Sequence, residues 1–158
     1  MKSAQPSPGE LTHQQLEQYL HEHIPLSRAM GVSVLEILPG GVTLGAPLAP
    51  NINHRDTAFG GSISAVAVLA AWSLLHVRLS AAGGSRLVIQ RHSMTYQRPI
   101  AGPFIARSFL PDAAAWEKFV RTLARRGRAR IAVSCCVEYQ GRPAGQFEGD
   151  FVALGAGE

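Results

Sequence analysis

Asn51-Ile-Asn-His-Arg-Asp-Thr-Ala-Phe-Gly-Gly-Ser62 runs without a break into Ile63-Ser-Ala-Val-Ala-Val-Leu-Ala-Ala-Trp-Ser-Leu-Leu-His-Val-Arg-Leu79. A polar loop opens onto one long apolar helix. From Phe59 to Leu79 nearly every residue is apolar or small, so the helix has no single greasy stripe and needs cover on most sides. The rest of the chain must wrap it. Gly60 and Gly61 carry no Cβ, so another molecule can approach the backbone closely at the junction. The first turn of a helix has unpaired N–H donors and a partial positive charge, which suits Gly61 and Ser62 to steady an oxygen that becomes negative. Taken alone, a bare glycine pair reads better as a tight turn that lets the helix pack closely. The surroundings favour a site: Asn51, Asn53, His54, Asp56 and Thr57 crowd donors and acceptors just ahead of Phe59, Gly60 and Gly61.

Upstream, Val32–Leu38 and Val42–Leu48 read as two strands joined by the turn residues Pro39, Gly40 and Gly41, which predicts a hairpin. Leu16, Tyr19, Leu20 and Ile24 recur at helical spacing behind a Thr12–Gln15 capping-box pair. This predicts a helix over about 10–23, stopped by Pro25, with His13, His21 and His23 facing solvent. Met1–Glu10 has no period that supports packing and is expected to be a tail.

Downstream, Ala82-Gly83-Gly84-Ser85 should turn the chain into a strand over Arg86–Arg98, with Val88, Gln90, His92, Met94 and Tyr96 on one face. Phe104–Leu110 reads as the next strand. Asp112 is placed to cap a helix in which Trp116, Phe119, Val120 and Leu123 share a face, ending at Gly127. Arg128–Tyr139 alternates cleanly, and Ala144–Leu154 puts Phe147 and Phe151 opposite Gln146, Glu148 and Asp150. Two strands, a long buried helix and four more strands form an α+β arrangement: an antiparallel sheet curled around the central helix.

With 158 residues, 46% of them hydrophobic, the chain has the size of one ordinary domain, expected over 11–158 after the tail. Ile63–Leu75 is too short and too rich in Ala and Ser to span a bilayer, which takes about 20 apolar residues. No leader-like pattern opens the chain, so a cytoplasmic location is expected. Cys135 and Cys136 should point to opposite faces of their strand as structural residues. No metal-ligand cluster, Walker loop or dinucleotide fingerprint is present in the sequence, and no cofactor is expected. The net charge of +4 points to an anionic partner. Arg121, Arg125, Arg126, Arg128 and Arg130 are the candidates to dock it, although a solvated basic face reads equally well.

The element order and the loop-Gly-Gly-helix junction resemble the hotdog fold of acyl-thioester enzymes. Within it, Ala46-Pro-Leu-Ala-Pro-Asn-Ile-Asn53, Thr57, Phe59 and Gly61-Ser62, supported by Ile24-Pro25 and Phe147–Gly149, resemble the thioesterase family named for the YiiD C-terminal domain. That family includes malonyl-acyl-carrier-protein decarboxylases. The resemblance implies an active-site role for Asn53 with Thr57 as companion, and a homodimer or dimer of dimers with the acyl pocket at the subunit interface.

Two chemistries compete. Decarboxylating malonyl-acyl carrier protein to its acetyl form leaves an enolate, and steadying its oxygen is the main task. Asn53 and Thr57 would orient the substrate. Hydrolysis of an acyl thioester on coenzyme A or acyl carrier protein needs an activated water or a nucleophile. Phe59–Leu79 holds no Asp or Glu, which leaves Asp56 as the ready base, and Asp56 reads slightly better as a helix cap. Decarboxylation therefore ranks first. A third reading, a basic nucleic-acid-binding module, lacks aromatic residues interleaved with the arginines for base stacking, and no nucleic-acid partner is expected.

Overall fold

A computed structural model supplies the fold and describes residues 10–81, 84 and 86–155. The expected tail, Glu10 apart, and Ala82, Gly83 and Ser85 of the expected turn lie outside the described residues.

Helix α1 spans His13–His23, three residues shorter at its start than expected, because Thr12 is the cap. The Thr12 hydroxyl accepts from the Gln15 amide at 3.1 Å, and Gln15 Oε1 accepts from the Thr12 amide at 2.9 Å. Ile24 leaves helical geometry because it precedes a proline, and Pro25 then opens a short helix, α2 (Pro25–Ala29), that the sequence reading did not foresee. His21 departs from expectation: its Nε2 sits 2.8 Å from the Val32 carbonyl and ties α1 to the start of the sheet. His23 is exposed, yet its ring packs on Tyr19 at 4.2 Å.

Strands β1 (Ser33–Leu38) and β2 (Gly41–Ala46) form the expected hairpin. A single 3-10 turn at Ala49–Asn51 leads into the polar loop, and the central helix α3 runs over Gly60–Ser80. The remaining elements are β3 (Arg86–Tyr96), β4 (Phe104–Phe109), α4 (Ala115–Arg126), β5 (Arg128–Tyr139) and β6 (Arg142–Leu154). All pairings are antiparallel, in the order β1-β2-β4-β5-β6-β3. The sheet wraps α3, which touches every strand from β2 to β6.

Helix α3 is long and apolar enough, by length and composition alone, to cross a membrane, contrary to the shorter run read from the sequence. Much of its apolar surface packs against the sheet. Val66, Leu74 and Leu75 are fully buried, each contributing about 1.5–3 kcal/mol. They pack in one core with Phe104, Phe147 and Phe151.

One edge strand breaks its own alternation. A bulge at Gln90 lets Ile89 pair with Phe151 and Arg91 with Asp150, so the side chains change phase there. Leu87 and Ile89 therefore share the helix-facing side with His92, Met94 and Tyr96, while Val88 falls on the outer face. The expected set of Val88, Gln90, His92, Met94 and Tyr96 is correct only in its second half. Asp112 likewise does not cap α4: its Oδ1 accepts from the Ala114 amide at 3.1 Å, and Ala114 stands at the cap position. Gly127, with φ +69°, ends α4 as expected.

Candidate functional site

The loop from Asn51 to Phe59 is built by its own side chains. Asn51 is 1% exposed, and its Nδ2 donates to the Met30 carbonyl at 2.9 Å and the Pro47 carbonyl at 2.8 Å. The Asn51 carbonyl accepts from the Phe59 amide at 2.7 Å, which pins both ends of the loop. Within it, Asn53 Oδ1 accepts from the amides of Arg55 at 2.8 Å and Thr57 at 3.2 Å. Asn53 Nδ2 reaches Thr57 Oγ1 at 2.9 Å and the Ala58 carbonyl at 3.4 Å. Asn53 and Thr57 thus stand together, with the carboxamide engaged in the loop.

Asp56 adopts φ +61° and is exposed. It does not cap α3. Phe59 occupies the cap position and offers no side-chain hydrogen bond, so the first turn of α3 keeps its donors. Ile63 makes the first helical bond, to the Phe59 carbonyl at 3.1 Å, and the amides of Gly60, Gly61 and Ser62 take no partner among the described residues. His54 is exposed beside Asp56, and neither lines the two cavities next to α3.

Aromatic side chains close over both junction glycines. A Cβ on Gly61 would stand 2.4 Å from Phe59 Cε1, and one on Gly60 would meet the Tyr96 ring at 3.3 Å. The Tyr96 hydroxyl donates to the Gly60 carbonyl at 2.8 Å.

A groove of about 370 Å³ opens beside this turn, walled by Ile24, Leu26, Met30, Ala65, Val68 and Leu69. Gly61, Ser64 and His92 complete it. Ser64 Oγ lies 3.1 Å from His92 Nε2, and the His92 ring stacks on Phe147 with centroids 5.3 Å apart. A second cavity, about 390 Å³, lies across Gly60 and Tyr96 and is bounded by Thr57, Ile63 and Arg98. The Arg98 guanidinium is turned to the carbonyls of Pro143, Tyr139 and Arg142 in the β5–β6 turn.

Ser64, His92 and Tyr96 carry no role in the sequence reading. Their signal is weak: His92 and Tyr96 lie on the helix-facing side of β3, and Ser64 lies one turn beyond Gly61. His76 is apart from this groove, stacked against Tyr19 and Trp72 at 4.6 Å from each. Burial, then the charge of His23, lowers its pKa.

The basic cluster divides. Arg126, Arg128 and Arg130 line a cavity of about 490 Å³ with Gln90 and Thr122, while Arg121 and Arg125 are exposed elsewhere on α4. None of the five forms an ion pair among the described residues. Cys135 is buried, Cys136 half-buried, and both are free.

Residues 13–155 match the model of a family described as putative thioesterase (yiiD_Cterm). The fold is shared with a protein of unknown function from Chlorobaculum tepidum TLS, at 28% identity and TM-score 0.85 over 91% of this chain and 94% of that one. A putative thioesterase from Shewanella oneidensis is 25% identical, with TM-score 0.77 over 90% and 96% of the two chains. A Pseudomonas aeruginosa protein described as a probable thioesterase shares the fold at 19% identity and TM-score 0.79, over 93% and 98%. The sheet order, the enclosed α3 and the family match together identify this chain as a hotdog-fold member of the YiiD C-terminal thioesterase family.

Proposed function

We propose that this chain hydrolyses acyl thioesters, with the acyl chain in the apolar groove beside α3 and the thioester carbonyl oxygen on the amides of Gly61 and Ser62. One observation carries the reading: Gly61, whose amide takes no partner among the described residues, lines a groove whose wall is Ile24, Leu26, Met30, Ala65, Val68 and Leu69. That wall suits a hydrocarbon chain, and a preorganised donor at the developing oxyanion is worth about 3–4 kcal/mol. Asp56 stands outside the groove. The titratable side chain within it is His92.

Decarboxylation of a malonyl thioester is the second reading, and it is favoured by the lack of any Asp or Glu on α3. It draws on the same amides, with Thr57 at the neighbouring cavity and Asn53 fixing it there. The imidazole that shares the groove with Gly61, and the apolar wall, move hydrolysis ahead.

The arginine-lined cavity offers positive charge for an acidic acyl carrier protein or for coenzyme A phosphates. Among the described residues no aromatic side chain lines it for base stacking, which argues against a nucleic-acid partner. Dimerisation through β3 fits an open edge strand on which Val88 is 51% and Tyr96 52% exposed.

Purified protein is to be incubated with long-chain acyl and malonyl thioesters on coenzyme A and on acyl carrier protein, with free thiol and carbon dioxide measured. Thiol from acyl substrates supports hydrolysis. Carbon dioxide without thiol supports the second reading, and neither product rejects both.

A further inference from the structure

We infer that Ser64 is a covalent nucleophile and His92 its general base, a pair that supplies the hydrolytic step with no carboxylate. The inference rests on the hydrolase reading and names its chemistry.

Ser64 departs from the habit of helical hydroxyls. Such a group ordinarily gives its hydrogen to the carbonyl four residues back. Thr122 does so, reaching the Lys118 carbonyl at 2.7 Å. For Ser64 that carbonyl belongs to Gly60, and Tyr96 already donates to it at 2.8 Å. The Ser64 hydroxyl turns instead across the gap to β3, where His92 Nε2 waits at 3.1 Å. Phe147 stacks on the imidazole, whose Nε2 faces Ser64 on the helix. In the tautomer with hydrogen on Nδ1, Nε2 accepts the serine proton.

Position on the helix completes the set. Ser64 follows Gly61 by three residues, so the two share a face, and side chains on a helix lean toward its N-terminus. Both line the same apolar groove. A hydroxyl, an imidazole and the backbone of Gly61, whose amide takes no partner among the described residues, therefore share one groove.

The chemistry balances without a further reactant. Ser64 Oγ attacks the thioester carbonyl carbon as its proton passes to His92 Nε2, and the oxygen's charge falls on the Gly61 and Ser62 amides. The C–S bond breaks, the thiolate takes the proton from His92, and an ester remains on Ser64. A water then gives a proton to Nε2 and attacks that ester, the C–Oγ bond breaks, and Ser64 recovers its proton. The products are the carboxylic acid and the thiol.

Wild type, Ser64→Ala and His92→Gln are to be mixed with octanoyl-coenzyme A and quenched in acid. Intact mass, peptide mapping and thiol release are then read together, with circular dichroism confirming that each variant folds. The expected result is one octanoyl group mapped to Ser64 in wild type, no adduct in S64A, and thiol release lowered by about a hundredfold or more in both variants. Turnover retained in S64A, or no ester trapped on Ser64 of active wild type, overturns the inference and leaves the hydrolase reading standing. Wild type that releases no thiol removes both.

Discussion

The phenolic hydroxyl of Tyr96 donates to the carbonyl oxygen of Gly60 at 2.8 Å, joining the edge strand to the first residue of the central helix. This bond occupies the acceptor that Ser64 would otherwise use. In Tyr96→Phe that acceptor is freed, so the Ser64 hydroxyl is expected to turn back along the helix, away from His92. Thioester turnover should fall roughly tenfold, with a stability loss of about 1 kcal/mol. Turnover assays beside urea unfolding check this, and an unchanged rate would contradict it.

Gly61→Ala places a methyl where the Phe59 ring now lies, 2.4 Å from its Cε1. Phe59 is 57% exposed and can swing away, so the fold should survive. The displaced ring and added methyl crowd the amide that holds the carbonyl oxygen. A loss of about a hundredfold in turnover, with little change in melting temperature, is the expected pattern.

Asn53→Ala removes the carboxamide that links the Arg55 and Thr57 amides to the Thr57 hydroxyl. Turnover is expected to fall by about a hundredfold or more while the sheet and core stay intact. Far-ultraviolet circular dichroism would register the intact fold, and near-normal kinetics would remove Asn53 from the site.

Ser108 is buried where the β2–β4 ladder ends. Its hydroxyl accepts from the Val42 amide at 3.1 Å and donates to the Val42 carbonyl at 3.0 Å. Ser108→Ala strands both backbone groups away from water and should cost about 1–3 kcal/mol, measured as a lower urea midpoint.

His76 gives stability a pH dependence. Burial against Tyr19 and Trp72, then the charge of His23, lowers its pKa below the ordinary 6.5. The unfolded chain therefore takes up this proton at a higher pH than the folded one. Stability should fall as pH drops through 6.5, then level off once the folded-state imidazole is also protonated. His76→Gln should flatten that part of the urea-midpoint profile, and an unchanged slope would place its origin elsewhere.

Much of the framework is legible in local sequence because its signals are short-range. Thr12 and Gln15 lie within one turn, Pro39 and Gly40 make their own turn, and Ile131, Val133 and Cys135 alternate without interruption. Misreadings arose where one residue had two local options. Asp112 bonds an amide two residues on, and Asp56 takes a left-handed conformation, so neither capped the helix it precedes. The Gln90 bulge left no mark in the alternation, because the residues on either side of it are apolar or polar on both faces.

By itself the sequence determined that a helix apolar on nearly all sides had to be wrapped by a sheet, and that its first turn carried glycine rather than side chain. Hydrophobic burial and backbone sterics decide those matters locally. Only the tertiary structure brought Ser64 to His92, residues 28 apart in the chain, and set the apolar groove beside the free amides. That meeting depends on strand register, on the bulge that turns His92 inward, and on Tyr96 claiming the Gly60 carbonyl, none of which a linear pattern encodes.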